Sequence, residues 1–222
     1  MTEITKYPTK AFDCWGKAKE LRMEIYQKLA QKAAGEKDWL VASGGTEGFI
    51  GIPAGLGDDY VPFGGEPYGA STGAMAKSVA MMEQCEARGY ARDLCGYCRT
   101  YLGSAFGNNF SFGGKYPHPD FYFQVHFCDT HGKWYQPAAE LSDRPYFVID
   151  GGASYRWPKW HESKKRKENK FDYLVAQMHD SIEWMEKITG RTYDDGRLAD
   201  AVYNEIMSSS KWAKCPFIFT LI

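Results

Sequence analysis

The spacing that most limits the fold of this chain lies between residues 121 and 150. Phe121-Tyr122-Phe123-Gln124-Val125-His126-Phe127 is aromatic and β-branched and follows a Pro-Asp turn, which reads as a strand. Pro145-Tyr146-Phe147-Val148-Ile149-Asp150 reads as a second strand, and it runs into Gly151-Gly152. Between them, Trp134, Ala138 and Leu141 recur at helical spacing, so a helix of roughly 10 residues fits. A strand, a helix and a strand at this separation form a βαβ unit, whose strands must be parallel. Open parallel sheets bind ligands beyond the carboxyl ends of their strands. Cys128 occupies that place on the first strand, and Asp150-Gly151 on the second.

The rest of the chain suits an α/β fold built around that unit. Ala18, Leu21, Ile25 and Leu29 predict a helix within residues 11–34, with Gly35 as its stop. Trp39-Leu40-Val41-Ala42 is a short apolar run. Residues 44–73 are rich in glycine and interrupted by Pro53, Pro62 and Pro67, which predicts a long shaped loop or several tight turns. A helix is expected over 72–88, with Met75, Val79 and Met82 on one face, and GSAFGNNFSFGGKYPHP after it reads as loop. Beyond residue 160 a basic run, Ser163 to Lys170, leads into a long amphipathic helix. Its apolar side carries Phe171, Leu174, Val175, Met178, Ile182, Met185 and Ile188. Residues 197–208 form another. The expected organisation is an N-terminal helical segment (1–38), a Rossmann-like parallel-sheet lobe with the cysteines (39–160) and a helical segment (161–222).

Bulk properties exclude several functions. A net charge of −1 gives no basic field for nucleic acid. No stretch approaches the roughly 20 apolar residues of a membrane span, and MTEITKYPTK leads into no apolar signal segment, so a cytoplasmic protein is expected. Six cysteines in such a protein read as metal ligands, catalytic thiols or buried thiols rather than a disulfide framework. Phe, Trp and Tyr make up 16% of the chain, which suits an aromatic core or a pocket for a flat substrate. No Gly-x-x-x-x-Gly-Lys-Ser/Thr motif is present, so ATP hydrolysis through a P-loop is not expected.

The cysteine pattern admits three chemistries. Cys95-x-x-Cys98 could be a redox pair, although no strand leads into it. Together with Cys128-x-x-His131 it could make a four-ligand zinc site. Alternatively, Cys95 and Cys128 could be two ligands of an iron–sulfur cluster whose remaining ligands lie elsewhere.

GYARDLCGYCRTYLG, then FCDTHGKWYQPAAEL and PYFVID, together with the upstream IPAGLGDDYVPFGGEPYGAS, resembles the benzoyl-CoA reductase / 2-hydroxyacyl-CoA dehydratase family over roughly residues 40–150. The resemblance implies a subunit of an anaerobic acyl-CoA enzyme holding a [4Fe-4S] cluster near a thioester. It implies Cys95, with Arg99 behind it, and Cys128, with Trp134 after it, as cluster ligands. A third cysteine would come from a second lobe beyond Ile222. Glu66 falls on the family's acidic loop position and is the implied proton-transfer group. Glu47, in the first glycine-rich turn, is a weaker acid candidate, and His126, next to Cys128, could hydrogen-bond a cluster sulfur or be structural. The implied partners are an aryl- or acyl-CoA, a homologous subunit and a separate ATP-hydrolysing iron–sulfur electron donor. The expected activity is reductive dearomatisation of benzoyl-CoA or a similar aryl-CoA. The alternatives are a 2-hydroxyacyl-CoA dehydratase subunit and, more distantly, a zinc-binding α/β scaffold. Cys98 has no role in this pattern, Cys14 and Cys85 read as core residues, and Cys215 reads as a buried thiol.

Overall fold

The computed structural model describes residues 13–44, 49–151 and 164–219, with side chains as far as 213 in the last helix. Strand β1 (Leu40–Gly44) is central, with β2 (Tyr60–Phe63) on one side and β3 (Phe121–Val125) on the other, and β4 (Tyr146–Ile149) lies beyond β3. All three pairings are parallel. Gly44 closes β1 at a φ of 116°, and a Cβ there would lie 1.8 Å from the carbonyl oxygen of Phe123.

Helix α1 (Trp15–Ala34) precedes the sheet. A 3₁₀ turn (Ile52–Leu56) links β1 to β2. Helices α2 (Gly65–Ala74), α3 (Ser78–Glu86) and α4 (Gly96–Phe106) link β2 to β3, and α5 (Gln136–Ser142) links β3 to β4. Two long helices follow, α6 (Lys164–Thr189) and α7 (Asp195–Phe219). The α/β class, the parallel sheet, the N-terminal helix and the long C-terminal helices are as expected from sequence.

Alternation along the strands divides the core into two layers. Val41, Val61, Phe63 and Tyr122 pack with Tyr26, Tyr68, Tyr101, Leu102, Trp134 and Tyr135 against helices α1 to α5. Leu40, Ala42, Phe121, Phe123 and Val125 pack on the opposite face with Ile52, Leu56 and Met185. The crossover from β1 to β2 runs on this second face, and those from β2 to β3 and from β3 to β4 run on the first. The chain steps outward in opposite directions through opposite faces, which a single crossover hand requires. The reversal falls between β1 and β3, and this is the switch point where open α/β sheets form a ligand crevice.

Several local expectations are corrected. Part of the glycine-rich stretch is ordered as β2 and α2. The expected helix over 72–88 is two helices, broken at Ala76 with its φ of 57°. Its buried side carries Met81 and Cys85, whereas Met75 and Val79 are exposed. The start of GSAFGNNF belongs to α4. The helix through Trp134 is only seven residues and starts after it, at Gln136. In α1 Leu21 is exposed and Tyr26 is buried in its stead. In α6 Phe171 is exposed, whereas Leu174, Met178, Ile182 and Ile188 do pack on the second layer. The basic run from Lys164 is a solvated helix start.

The aromatic richness is spent on the core. Tyr68, Tyr101, Tyr116, Tyr122, Tyr135, Trp134, Phe63 and Phe110 are among the largest fully buried side chains. Buried phenols require partners, and several find hydroxyls. Tyr101 lies 2.5 Å from Ser43 Oγ, and Tyr68 lies 2.7 Å from Ser104 Oγ and 2.9 Å from Ser111 Oγ. Aromatic content therefore gives no support to an aryl pocket over any other acyl site.

Candidate functional site

The carboxyl ends of β2 and β3 bring two predicted residues together. After β2 the chain turns through Gly64 directly into α2, which places Glu66 in the first turn of that helix. After β3, His126, Phe127 and Cys128 lead into a tight turn closed by Gly132 N–H on the Cys128 carbonyl at 2.9 Å. That turn presents His131 between the two elements. His131 Nε2 lies 2.5 Å from Glu66 Oε1, and His131 Nδ1 lies 3.1 Å from Cys128 Sγ. The imidazole is held flat against Trp134, with centroids 5.3 Å apart and planes at 27°.

Packing beneath this chain of groups is tight. Trp134 and Tyr135 stack at 5.3 Å, and both are buried. The Gly65 N–H donates to the Tyr135 hydroxyl at 3.0 Å. A Cβ at Gly65 would sit 2.6 Å from that oxygen and 2.7 Å from Trp134 Cζ2. One turn on, a Cβ at Gly69 would lie 3.0 Å from Tyr97 Cα. Glycines at these two places let α2 lie directly on the Trp134-Tyr135 shelf and on the first turn of α4.

The electrostatics favour charge on Cys128 and His131. Burial raises the Cys128 thiol, but the backbone N–H of His131, the imidazolium charge and ring contact of His131 and the backbone N–H of Thr130 outweigh it, so the thiol titrates below its usual range. Burial lowers His131, but the hydrogen bond and charge of Glu66 and then the Cys128 thiolate prevail, so the imidazole is held above its usual range. Cys128 and Cys95 are both half-buried.

Cys95 stands immediately before α4, whose first turn carries Cys98 inward and Arg99 sideways. Arg99 does not turn toward a thiol. Its Nε donates to the Leu94 carbonyl at 3.0 Å and its Nη1 to Glu86 Oε1 of α3 at 2.6 Å, which braces the turn leading into Cys95. Cys98 is 2% exposed. Burial first, then the charges of Cys85, Cys95 and Cys128, push its thiol well above the usual range. A protonated, enclosed thiol suits neither half of a redox pair.

His131 was visible in the sequence only as part of a Cys-x-x-His spacing, and its bond to Glu66 has no local signal. Among the described residues no group of three or more His, Cys, Asp or Glu side chains is arranged to hold a metal, whether zinc or iron. Both ring nitrogens of His131 are already engaged. His126 is directed to Asp150, with Nδ1 3.3 Å from Oδ1 at the ends of β3 and β4. Glu47 and the Cys215 side chain lie outside the described residues. Cys85 is buried as expected, whereas Cys14 is exposed at the start of α1. A cavity of about 570 Å³ lies between α3 and the far end of α4 beside Lys77 and Gly103, and it includes none of these residues.

Comparison with known proteins identifies the lineage. The family described as 2-hydroxyglutaryl-CoA dehydratase, D-component, matches residues 57–214. This chain belongs to that family. It is 27% identical over 150 residues, 67% of its length, to the (R)-phenyllactyl-CoA dehydratase alpha subunit of Clostridium sporogenes, covering 35% of that protein. It is 26% identical over 149 residues, 66% of its length, to the (R)-2-hydroxyisocaproyl-CoA dehydratase alpha subunit of Clostridioides difficile, again covering 35%. The lactoyl-CoA dehydratase subunit alpha of Anaerotignum propionicum is 27% identical over 145 residues, with 58% of this chain and 32% of that protein covered. The chain thus spans about a third of the length of the curated relatives it matches. These relatives are dehydratase subunits, so the dehydratase alternative is favoured and the benzoyl-CoA reductase expectation gains no support. None of the described helices is long and apolar enough to cross a membrane.

Proposed function

We propose that this chain contributes to a 2-hydroxyacyl-CoA dehydratase of the alpha-subunit type, with Cys95 and Cys128 as thiolate ligands of a [4Fe-4S] cluster and Glu66 as the proton-transfer group. The observation that carries this reading is the junction of Glu66, His131 and Cys128. An acid and a thiolate from separate elements meet through one imidazole, beside the sheet edge where α/β folds bind ligands. The donor set fits the cofactor: soft thiolates suit iron–sulfur clusters, and the Cys128 turn supplies N–H groups that stabilise thiolate charge. Two thiolates are an incomplete set, and on this reading the remaining ligand lies outside the described residues.

Such a cluster supplies low-potential electrons to a thioester-activated acyl group. The chain's own residues have other tasks. The stacked Trp134 and Tyr135 form a rigid floor that keeps α2 at a fixed height. Glu66, 28% exposed, keeps one carboxylate oxygen on His131 and can hold or release a proton at the other. Arg99 and Glu86 hold Cys95 at the head of α4. The acyl-CoA substrate, a homologous partner subunit, a separate ATP-hydrolysing iron–sulfur donor and the division at residues 38 and 160 belong to the same proposal.

Anaerobic purification followed by iron, acid-labile sulfide and zinc analysis tests it. Iron with matching sulfide is expected, and Cys95→Ser and Cys128→Ser should each lose most of it while the exposed Cys14→Ser keeps it. Stoichiometric zinc, or iron retained in both Cys95→Ser and Cys128→Ser, overturns the proposal.

A further inference from the structure

We propose that His131 is a positioning residue that ties the carboxyl group of Glu66 to the sulfur of Cys128, so that a change at either group is felt by the other. The inference deepens the functional reading above, but its geometry does not depend on a bound cluster.

Three observations carry it. First, His131 uses both ring nitrogens at once, one at 2.5 Å from Glu66 Oε1 and the other at 3.1 Å from Cys128 Sγ. An imidazole so engaged transmits changes at one end to the other, because the hydrogen bond at one nitrogen sets the donor character of its partner. Second, the ring is not free to turn away. It is 13% exposed, stacks on Trp134 at 5.3 Å and stands edge-on to Phe127 at 6.4 Å. Third, the supports are themselves fixed. Gly132, the next residue, approaches the His126 ring so closely that a Cβ would lie 3.2 Å from it, and Gly65 rests on the rings of Trp134 and Tyr135. Glu66, on the first turn of α2, would otherwise be a partly exposed carboxylate with several rotamers open to it. His131 selects the rotamer that faces the thiol. If Cys128 holds a metal cluster, the Nδ1 contact falls on a ligand sulfur, and the carboxylate is then one ring removed from the cluster's first coordination sphere.

The test is a double-mutant cycle read on the full chain, metal-free, at one fixed neutral pH. The measured quantity is the rate of alkylation of Cys128 by iodoacetamide, followed by peptide mass spectrometry with Cys95 as internal reference. Groups in one hydrogen-bonded network couple strongly enough to change such a rate by roughly twofold or more. Glu66→Gln is expected to change the Cys128 rate by about threefold or more when His131 is present. The same substitution should have no effect in a His131→Ala background. His131→Asn keeps a donor near the position of Nδ1 but cannot reach Glu66, so it should also abolish the Glu66 effect, with Cys128 closer to wild type than in His131→Ala. It serves as the second variant should alanine at this stacked position unfold the chain. A spectroscopic arm uses the cluster-loaded protein: Glu66→Gln should shift the cluster's reduction potential only when His131 is intact. The proposal is overturned if Glu66→Gln alters Cys128 equally with and without His131, or alters it in neither background. Failure to load a cluster would count against the functional reading and leave the alkylation cycle as the decisive result.

Discussion

Replacing Gly103 with alanine isolates what holds the thiol-bearing helix in place. A glycine in a helix interior ordinarily costs stability, and alanine regains about 1 kcal/mol. At Gly103 of α4 the ideal Cβ would lie 1.7 Å from the carbonyl oxygen of Met81 and 2.5 Å from its carbonyl carbon. A comfortable carbon–oxygen contact is about 3.3 Å or more, so α3 and α4 would have to part by more than 1 Å along their line of contact. The obstacle is helix backbone and cannot turn aside as a side chain could. Overpacking of this kind costs about 1–3 kcal/mol and occasionally more, and opening the seam sacrifices dispersion contacts along both helices. Because the contact is so short, the upper part of that range applies, and the net loss after the propensity gain is about 2 kcal/mol. For a chain of this size that lowers Tm by roughly 4–8 °C. The control is Gly73→Ala near the end of α2, where nothing lies within 4 Å of the added carbon. There the propensity term acts alone, and stability should hold or rise by up to about 1 kcal/mol. Urea and thermal unfolding of the two variants beside wild type decide the matter. A Gly103→Ala protein as stable as Gly73→Ala would show that α3 and α4 are not in backbone contact, and would remove the argument for how Arg99 reaches Glu86.

Two further outcomes follow from particular contacts. Gly65→Ala should destabilise by about 1–3 kcal/mol and change tryptophan fluorescence, because the stacked rings of Trp134 and Tyr135 have no room for the added carbon; an unchanged urea midpoint refutes that packing. The Asp59–Arg191 pair joins the turn before β2 to the segment after α6, with contacts of 2.6 and 2.7 Å. The hydrogen bond of Arg191 outweighs burial and holds the Asp59 carboxyl below its ordinary value. A depressed folded-state pKa adds stability that is present above the unfolded carboxylate value and disappears as pH falls through the folded one. Both side chains are about a third exposed, so Asp59→Asn should cost about 0.5–1 kcal/mol near pH 7. The deficit should vanish in strong acid, and a urea midpoint difference that persists there refutes the assignment.

What could be read from the sequence divides along a physical line. The βαβ unit was legible because strands buried on both faces are nearly continuous apolar runs, and Phe121 to Val125, interrupted by Gln124, is one. Strand β2 was not, since Tyr60-Val61-Pro62-Phe63 is short and contains a proline. Proline is tolerated there because β2 lies at the sheet edge, and edge position is a property of the assembled sheet. Helix α2 was hidden for a related reason. Gly65-Glu66-Pro67 has poor helix propensity, yet Pro67 falls within the first turn, where no N–H is needed. The two glycines that weaken the helix also let it lie on Tyr135 and Tyr97. Close approach between backbones favours the residues that local propensity disfavours, so such a segment reads as loop until its partner surface is known. The site shows the same division. Of the proposed site, Cys95, Cys128 and Glu66 were accessible through short motifs in a recognisable order. The histidine between two of them was not, because nothing in Cys128-Asp129-Thr130-His131 points toward α2. Only the parallel order of β2, β1 and β3 carries the head of α2 and the turn after β3 to the same edge. The part of the site that motifs miss is therefore the part that topology makes, and His131 is where a sequence-based account of the chemistry is incomplete.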